Sequence, residues 1–443
     1  MGLALLASRE RSGLADPSVQ PFWPARMHGY LPAAGFHDAR TAPVGAMPGR
    51  PDCRLIPSDR DVVGEAMKTS FYWFAPVDGD ARSPGSPTPD YPSTDFEHLK
   101  SAVQTAERAG FEGVLIPFSF RNQTYGVDVA PYIDTWTAAA ALGAVTSKIR
   151  LLPAILTGIW NPWMMARAAA TLDHLTGGRL DLNIITGGRN EPGVTDTVDH
   201  DTRYDRTAES IDCVRGFWSE RRFDYDGRFY QYRSQDCLPK PLQQPEIPLF
   251  FSGQSPAARQ VARSKRIHTH LVVGDTPAAV GSFVQLMRDE AAAGGETVSM
   301  RFGIRLQVIL GRTDDEAWGI AQSMLDSFDR EIVQSRIEHM KEVDASSKSR
   351  FTSLEGRDPF AVESHILGPA LWAGLRLVRP GATHALVGSP ESVKATLREY
   401  VAAGLSIFVL SGYPNDEAAE RFGRDVLSSF DNQAVERQPV GAG

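Results

Sequence analysis

Short apolar segments alternate with helical segments along most of the chain, and this alternation constrains the fold more than any other feature. Strands that are apolar along most of their length are typical of a parallel sheet covered by helices. Eight such segments occur, in chain order: SFYWFAP (70–76), FEGVLIPF (111–118), IRLLPAIL (149–156), RLDLNIITG (179–187), IPLFFSG (247–253), THLVVGD (269–275), RFGIRLQVIL (301–310) and SIFVLSG (406–412). Eight strand–helix units predict a closed (β/α)8 TIM barrel with insertions.

An open, doubly wound sheet is the main alternative to the barrel. It is less favoured because FAPVDGD (74–80) stands where a dinucleotide-binding sheet would carry GxGxxG after its first strand. In the helix that follows, Thr94 and Glu97 have the spacing of a capping box and predict Thr94 as the N-cap.

The two ends of the chain differ in composition. Residues 1–66 are rich in Pro, Gly, Ala and Arg without helical or strand periodicity, so we predict a loosely ordered extension, or a segment upstream of a chain that really begins at Met67. Residues 67–443 are predicted to form the barrel domain, with a mobile insertion around 330–385.

Composition and charge exclude several function classes. A formal net charge of −8 gives no basic surface for nucleic acid. Three cysteines form neither a disulfide framework nor a CxxC metal pair, which favours a reducing compartment. No apolar run approaches the roughly 18 residues that a membrane-spanning helix needs. We therefore predict a cytoplasmic protein without a metal site.

In a barrel of this kind the chemistry is expected where the strands end, at their carboxyl side. The segment SGQSP (252–256) places Ser255 at a helix N-cap and Pro256 at the first helical position, with Gly253 allowing close approach. Free backbone N–H groups at such a helix start bind phosphate. The alternative is simply a well-capped helix, because GSP at 388–390 has the same pattern.

Other polar residues near strand ends differ in what they favour. Arg305 and Gln307 are two apart on one strand and therefore face the same side, which we expect to be the barrel interior. A buried arginine there is either paired with a carboxylate or available to an anion. His268 and His270 have no third metal ligand nearby, so a structural role is favoured. A glycosidase pair is not favoured, because Asp78 and Asp80 share one loop.

Several segments occur in the same order as in a known family. They are FYWFAPVDGD, AATLDHLTGGRLDLNIITGG, TRYDRTAE, FGIRLQVIL, LWAGLRLVR, GSPESV and FVLSGYP. Together they resemble the bacterial luciferase-like flavin monooxygenases over nearly all of the chain after Met67. The resemblance is closest to the reduced-FMN-dependent alkanesulfonate monooxygenases.

The resemblance implies a two-component reaction. A separate NAD(P)H-dependent flavin reductase would supply reduced FMN (FMNH2), which would react with O2 in the barrel. The substrate would be a small organosulfonate, whose carbon–sulfur bond is cleaved to give sulfite and an aldehyde. The protein would seat the flavin and exclude water. The family also suggests a homo-oligomer.

The resemblance assigns cofactor residues one by one. Tyr204 and Ser255 match residues that contact the flavin phosphate, beside Gly253. Thr186 and Gly187 match the strand end that lies against the flavin. The bare glycines after this strand are therefore expected to leave room for the ring system or its ribityl chain.

The resemblance assigns three residues to catalysis. Arg305, Arg379 and Tyr413 match residues associated with binding the sulfonate and protecting the activated oxygen. Arg379 would arrive on the insertion, which would act as a lid over the substrate.

Some substrate-facing positions depart from the sulfonate enzymes. Asp78, Gln307 and Asn415 stand where those enzymes carry histidine, and Val273 stands in place of a tryptophan. These changes predict a related substrate that is bulkier or more polar than a simple alkanesulfonate, with Asp78, Gln307 and Asn415 contacting it.

Two further functions stay open at this point. One is a deazaflavin-dependent oxidoreductase of the same fold that transfers hydride without O2. The other is a flavin-binding protein without turnover, against which the presence of Arg305, Arg379 and Tyr413 argues. Within the monooxygenase hypothesis itself, a sulfone or another small organic molecule is the alternative substrate.

Overall fold

The description of the fold rests on a computed structural model of the chain. It describes residues 68–77, 79–82, 84, 90–91, 94–118, 133–187, 190–191, 194–195, 198–342, 356–378 and 383–430. The predicted extension 1–66 lies outside these ranges, and so do Asp78 and Arg379, for which contact with substrate and a catalytic role are predicted.

Eight parallel strands form a closed barrel. They are β1 (Ser70–Phe74), β2 (Gly113–Ile116), β3 (Arg150–Leu156), β4 (Leu182–Ile185), β5 (Leu249–Ser252), β6 (Thr269–Val272), β7 (Arg301–Leu310) and β8 (Ile407–Ser411). Neighbours along the chain pair from β1 through β7, and β8 pairs with both β7 and β1. The predicted (β/α)8 barrel is confirmed, and all eight strands fall within the predicted apolar segments.

Helices cover the outside of the barrel. They are α1 (Phe96–Ala109), α2 (Thr135–Val145), α3 (Pro162–Leu175), α4 (His200–Ser219), α5 (Pro256–Ser264), α6 (Pro277–Ala293), α7 (Asp314–Asp326), α8 (Arg330–Glu342), α9 (Pro390–Ala402) and α10 (Asn415–Asp425). Short 3-10 helices cover Val362–His365, Gly374–Leu377 and Leu427–Ser429. No helix in the described ranges is long and apolar enough to cross a membrane.

Shorter strands occur in addition to the eight strands of the barrel. Two antiparallel hairpins pair Asn190–Glu191 with Val194–Thr195 and Phe223–Asp226 with Gln231–Gln235. A third group extends the sheet beside the end of β7. Ala385–Gly388 pairs there in parallel with β7, Leu371–Trp372 pairs antiparallel with Ala385–Gly388, and Ile366–Gly368 follows.

Side chains on the two faces of each strand pack into separate clusters. Trp73 of β1 faces the helices and joins the large outer core, whereas Tyr72 and Phe74 face inward. At the amino-terminal end of the barrel, Arg150 forms a two-pronged ion pair with Asp181, which also accepts a hydrogen bond from the Tyr72 hydroxyl at 2.9 Å. This end of the barrel is therefore filled, and the carboxyl end is left for chemistry.

The late insertion has an apolar cluster of its own. Trp372, Leu375 and Val378 pack with α7 and with Ile309 near the end of β7, and they are almost fully buried. The described part of the insertion is thus anchored on the barrel by burial of large side chains. That the segment moves as a lid stays a prediction.

The N-cap of α1 differs from the predicted residue. The N-cap is Asp95, whose carboxylate accepts the His98 backbone N–H at 3.0 Å, and not Thr94. An ionised carboxylate is a stronger acceptor than a hydroxyl at a positive helix terminus, which explains the shift by one residue. The predicted caps Ser255 and Ser389 are confirmed.

A buried polar junction ties α1 to the start of α10. The Asp80 carboxylate lies 2.9 Å from the His98 ring and accepts the Asn415 backbone N–H at 2.8 Å. Tyr91 stacks on the His98 ring with centroids 3.8 Å apart. Burial lowers the pKa of His98, but the hydrogen bond and charge of Asp80 outweigh that effect, so the pKa is raised.

This junction predicts a pH-dependent stability. Because the pKa of His98 is raised on folding, its contribution is fully present below the unfolded pKa of about 6.5 and is lost as pH rises through the folded pKa. Urea unfolding of wild type and His98→Gln should therefore differ most near pH 6 and less near pH 9. The exposed His200→Gln is the control, with little difference at either pH. A gap for His98→Gln that widens with pH would contradict this account.

Candidate active site

Arg305 lies inside the barrel mouth. It sits on the inward face of β7, and its guanidinium carbon is 3.2 Å from the centroid of the Phe74 ring on β1. Its Nη2 donates to the Ser411 hydroxyl on β8 at 3.3 Å. A half-buried guanidinium is therefore held at the mouth by a ring and a hydroxyl from two other strands.

Gln307 continues the same network. Its Oε1 accepts a 2.7 Å hydrogen bond from the Ser411 hydroxyl, which in turn accepts from Arg305. The Gln307 side chain has no exposed surface, and its Nε2 has no hydrogen-bond partner among the described residues. Gln307 thus faces the interior beside Arg305, as predicted, and is linked to it through the Ser411 hydroxyl. Its contact with substrate stays a prediction.

Tyr413 stands at the end of β8. It follows Ser411 by two residues, is half-buried, and packs against the apolar cluster beneath the insertion. The structure therefore places Arg305 in the middle of β7 and Tyr413 just past the end of the neighbouring strand β8. Their predicted partner Arg379 lies outside the described residues, one position after the buried Val378.

The predicted phosphate residues meet at the start of α5. Ser255 caps the helix by accepting the Ala258 backbone N–H. Gly253 has φ +134°, and a Cβ there would meet the Tyr204 hydroxyl at 3.1 Å and the Ala258 Cβ at 2.6 Å. Tyr204, Gly253 and Ser255 therefore form one group at the start of α5. Pro256 has no N–H and the Ala258 N–H is bonded to Ser255, so the Ala257 N–H is the donor that the first turn offers beside the two hydroxyls. We call this group the α5 cradle.

Thr186 and Gly187 lie at the end of β4. The Thr186 hydroxyl is 3.2 Å from that of Thr207 on α4, which is 2.8 Å from that of Thr157 at the end of β3. These three threonines are buried and join two strand ends to α4.

Gly187 has a structural reason of its own. Its φ is +84°, and a Cβ would lie 2.2 Å from a methyl group of Leu156. The Leu156 side chain fills the space beside Gly187. Packing against Leu156 is therefore enough to explain the glycine, without the expected room for a flavin. A flavin contact at Thr186 and Gly187 stays a prediction.

Asn415 is engaged by the protein. Its Oδ1 accepts the Trp73 indole N–H at 2.8 Å, and its Nδ2 donates to the Phe74 carbonyl at 3.0 Å. It is almost fully buried, at 4% exposure. The amide therefore fastens α10 to β1, and a substrate contact would require it to give up one of these bonds.

Sequence reasoning missed Ser411 and Thr207, which connect predicted residues. Ser411 could have been found, because it lies two positions after Val409 on β8 and so faces inward with the other alternate residues. Thr207 carried no signal beyond its place on α4. The described residues contain no cluster of three or more His, Cys, Asp or Glu side chains that could hold a metal ion.

The geometry can be compared with known proteins. The family model for luciferase-like monooxygenases matches residues 69–406, which is most of the chain. The chain belongs to the luciferase-like monooxygenase family. Members of this family are flavin-dependent monooxygenases, so the predicted enzyme class and family are confirmed.

Solved structures share the fold. A long-chain alkane monooxygenase (LadA) superposes with a TM-score of 0.67 and 18% identity, over 86% of this chain and 94% of that chain. A riboflavin lyase (RcaE), solved with modified FMN and riboflavin, gives 0.64 and 22%, over 82% and 91%. An F420-dependent secondary alcohol dehydrogenase gives 0.58 and 17%, over 82% and 100%. At these identities the likeness shows the fold alone.

Two glycines with positive φ give a test of the mouth's packing. Gly187→Ala should lose about 2–5 kcal/mol of unfolding free energy, because it combines backbone strain with displacement of Leu156. The matched control is Gly110→Ala, where φ is +94° but nothing lies within 4 Å of the new Cβ, so only about 1–2 kcal/mol is expected. Urea unfolding of both variants measures the difference. Equal losses would show that Leu156 moves aside freely.

Proposed function

We propose that this chain is an FMNH2- and O2-dependent monooxygenase that cleaves the carbon–sulfur bond of an organosulfonate, giving sulfite and an aldehyde. The observation that carries the proposal is the Arg305 guanidinium at the barrel mouth, stacked on Phe74 and bonded to Ser411. A sulfonate is an anion at every physiological pH and offers three oxygens to the planar donors of a guanidinium.

The surroundings of Arg305 make anion binding favourable. A guanidinium that is partly removed from water has lost hydration, and an anion placed beside it compensates for that loss. Contact with the face of Phe74 stabilises the cation. In this proposal Tyr413 and Arg379 complete the anion site.

The α5 cradle supports FMN as the cofactor. Its residues fit a phosphate, since the Tyr204 and Ser255 hydroxyls lie beside the N-terminus of α5. When bound, reduced FMN supplies the electrons that activate O2. The chain's own part is to hold the phosphate at α5, the ring near the end of β4, and the anionic substrate at Arg305.

The reducing equivalents need a second protein. The first strand is not followed by a nicotinamide-binding GxGxxG, so the proposal includes a separate NAD(P)H-dependent flavin reductase. One O2 and one FMNH2 are consumed for each sulfonate, with FMN, water, sulfite and aldehyde as products. A cytoplasmic location and a homo-oligomer belong to the same proposal.

Sulfite release tests the reaction and the anion site together. Purified enzyme with a flavin reductase, NAD(P)H and FMN is assayed across short alkanesulfonates, sugar sulfonates and aromatic sulfonates. Arg305→Ala should lower kcat/KM by about 100-fold or more, and Arg305→Lys by about tenfold, because lysine keeps the charge but loses the planar fork. Arg312→Ala is the matched control, since Arg312 follows β7 and its side chain is 86% exposed.

The outcomes separate the alternatives. Sulfite from any sulfonate, lost with Arg305→Ala and kept with Arg312→Ala, supports the proposal. O2 uptake without sulfite across the panel would keep the monooxygenase and move the substrate to a sulfone or another small organic molecule. Hydride transfer with F420 and no O2 uptake would replace FMN by a deazaflavin and overturn the proposal.

A further inference from the structure

His270 joins β6 to the α5 cradle. It lies on the outward face of β6, opposite Phe251 of β5, and has no exposed surface. Its Nε2 is 3.0 Å from the carbonyl oxygen of Gly253, which precedes the helix cap Ser255 by two residues. A carbonyl can only accept a hydrogen bond, so Nε2 carries the hydrogen and His270 is the donor.

The surroundings of His270 keep its ring neutral. The ring stacks on Phe283 of α6 at 5.6 Å and meets Phe251 and Phe302 edge-on, each at 6.3 Å. Burial lowers the pKa of His270 to about 4, although the bond to Gly253 acts in the opposite direction. The other ring nitrogen, Nδ1, has no partner in the described part of the chain. Among the described residues, the bond to Gly253 is therefore the one hydrogen bond of the ring, and it does not change between pH 5 and 8.

That bond determines the orientation of a peptide plane in the α5 cradle. Gly253 has φ +134°, a conformation that side-chain-bearing residues rarely adopt. In a trans peptide the carbonyl and the following N–H point in opposite directions. With the Gly253 carbonyl held toward the helix layer by His270, the Gln254 N–H points away from that layer. Without the bond, the carbonyl of the half-buried Gly253 would lose its His270 partner, and the peptide could turn toward another.

We propose that His270 is a positioning residue for the cofactor phosphate, acting through the Gly253 carbonyl to hold the α5 cradle in its binding conformation. This inference rests on the proposed function, since the ligand is the phosphate of FMN. It makes a specific prediction: His270 contributes to the affinity for the phosphate and not for the rest of the flavin.

The test compares two flavins that differ only in the phosphate. Dissociation constants for reduced FMN and reduced riboflavin are measured by anaerobic titration of protein fluorescence. His270→Phe keeps the ring and its stacking but removes the donor, whereas His270→Gln places an amide N–H near the position of Nε2. Tyr204→Phe serves as the reference for loss of one hydroxyl at the α5 cradle. Thermal unfolding of each variant checks that it is folded.

We expect His270→Phe to raise the dissociation constant for reduced FMN by about tenfold. The dissociation constant for reduced riboflavin should stay within about twofold of the wild-type value. His270→Gln should restore most of the FMN affinity. Equal weakening of both flavins, or an unchanged FMN affinity in folded His270→Phe, would overturn the inference while leaving the proposed function intact. A wild-type enzyme that binds the two flavins equally would overturn both proposals, because no phosphate would then be recognised.

Discussion

The closing strand pair holds the candidate site together. Phe74, Arg305 and Ser411 come from β1, β7 and β8, and they are neighbours only because β8 hydrogen-bonds to both other strands. In an open sheet with the same strands, β1 and β7 would lie at a distance and the guanidinium would lose its aromatic support. The closure of the barrel is therefore a condition of the proposed anion site as well as of the fold.

The proposed cofactor site depends on a different part of the barrel. The α5 cradle is built on β5 and α5, with Tyr204 from α4 and with His270 behind it on β6. Arg305 reaches the mouth from β7, beside β6 in the barrel. A ligand with an anionic tail on one side and an anionic partner on the other would thus meet two positively polarised regions. One is a helix terminus and the other is a formal charge, and the two can be altered independently.

The sequence predicted the parts of the structure that follow from local rules. Apolar runs identified all eight strands, the Ser-Pro pair identified the start of α5, and the spacing of Arg305 and Gln307 identified their common face. Contacts between segments that are far apart in the sequence could not be predicted from it. Neither the Asn415 link to Trp73 nor the Leu156 side chain against Gly187 leaves a local pattern. The N-cap of α1 is Asp95 and not Thr94. Both side chains offer an acceptor at this helix end, and their spacing in the sequence does not show which one binds the backbone N–H.

The two amides that replace expected histidines have different consequences. The Asn415 amide hydrogen-bonds the Trp73 side chain and the Phe74 backbone, so its presence is explained by the attachment of α10 to β1. Gln307 instead bonds Ser411, and through that hydroxyl it acts on the position of Arg305. Unlike a histidine, an amide does not titrate, so this network keeps the same protonation state across physiological pH. Proton transfer at the mouth must then come from other groups, and the part of Gln307 is to fix where the guanidinium stands.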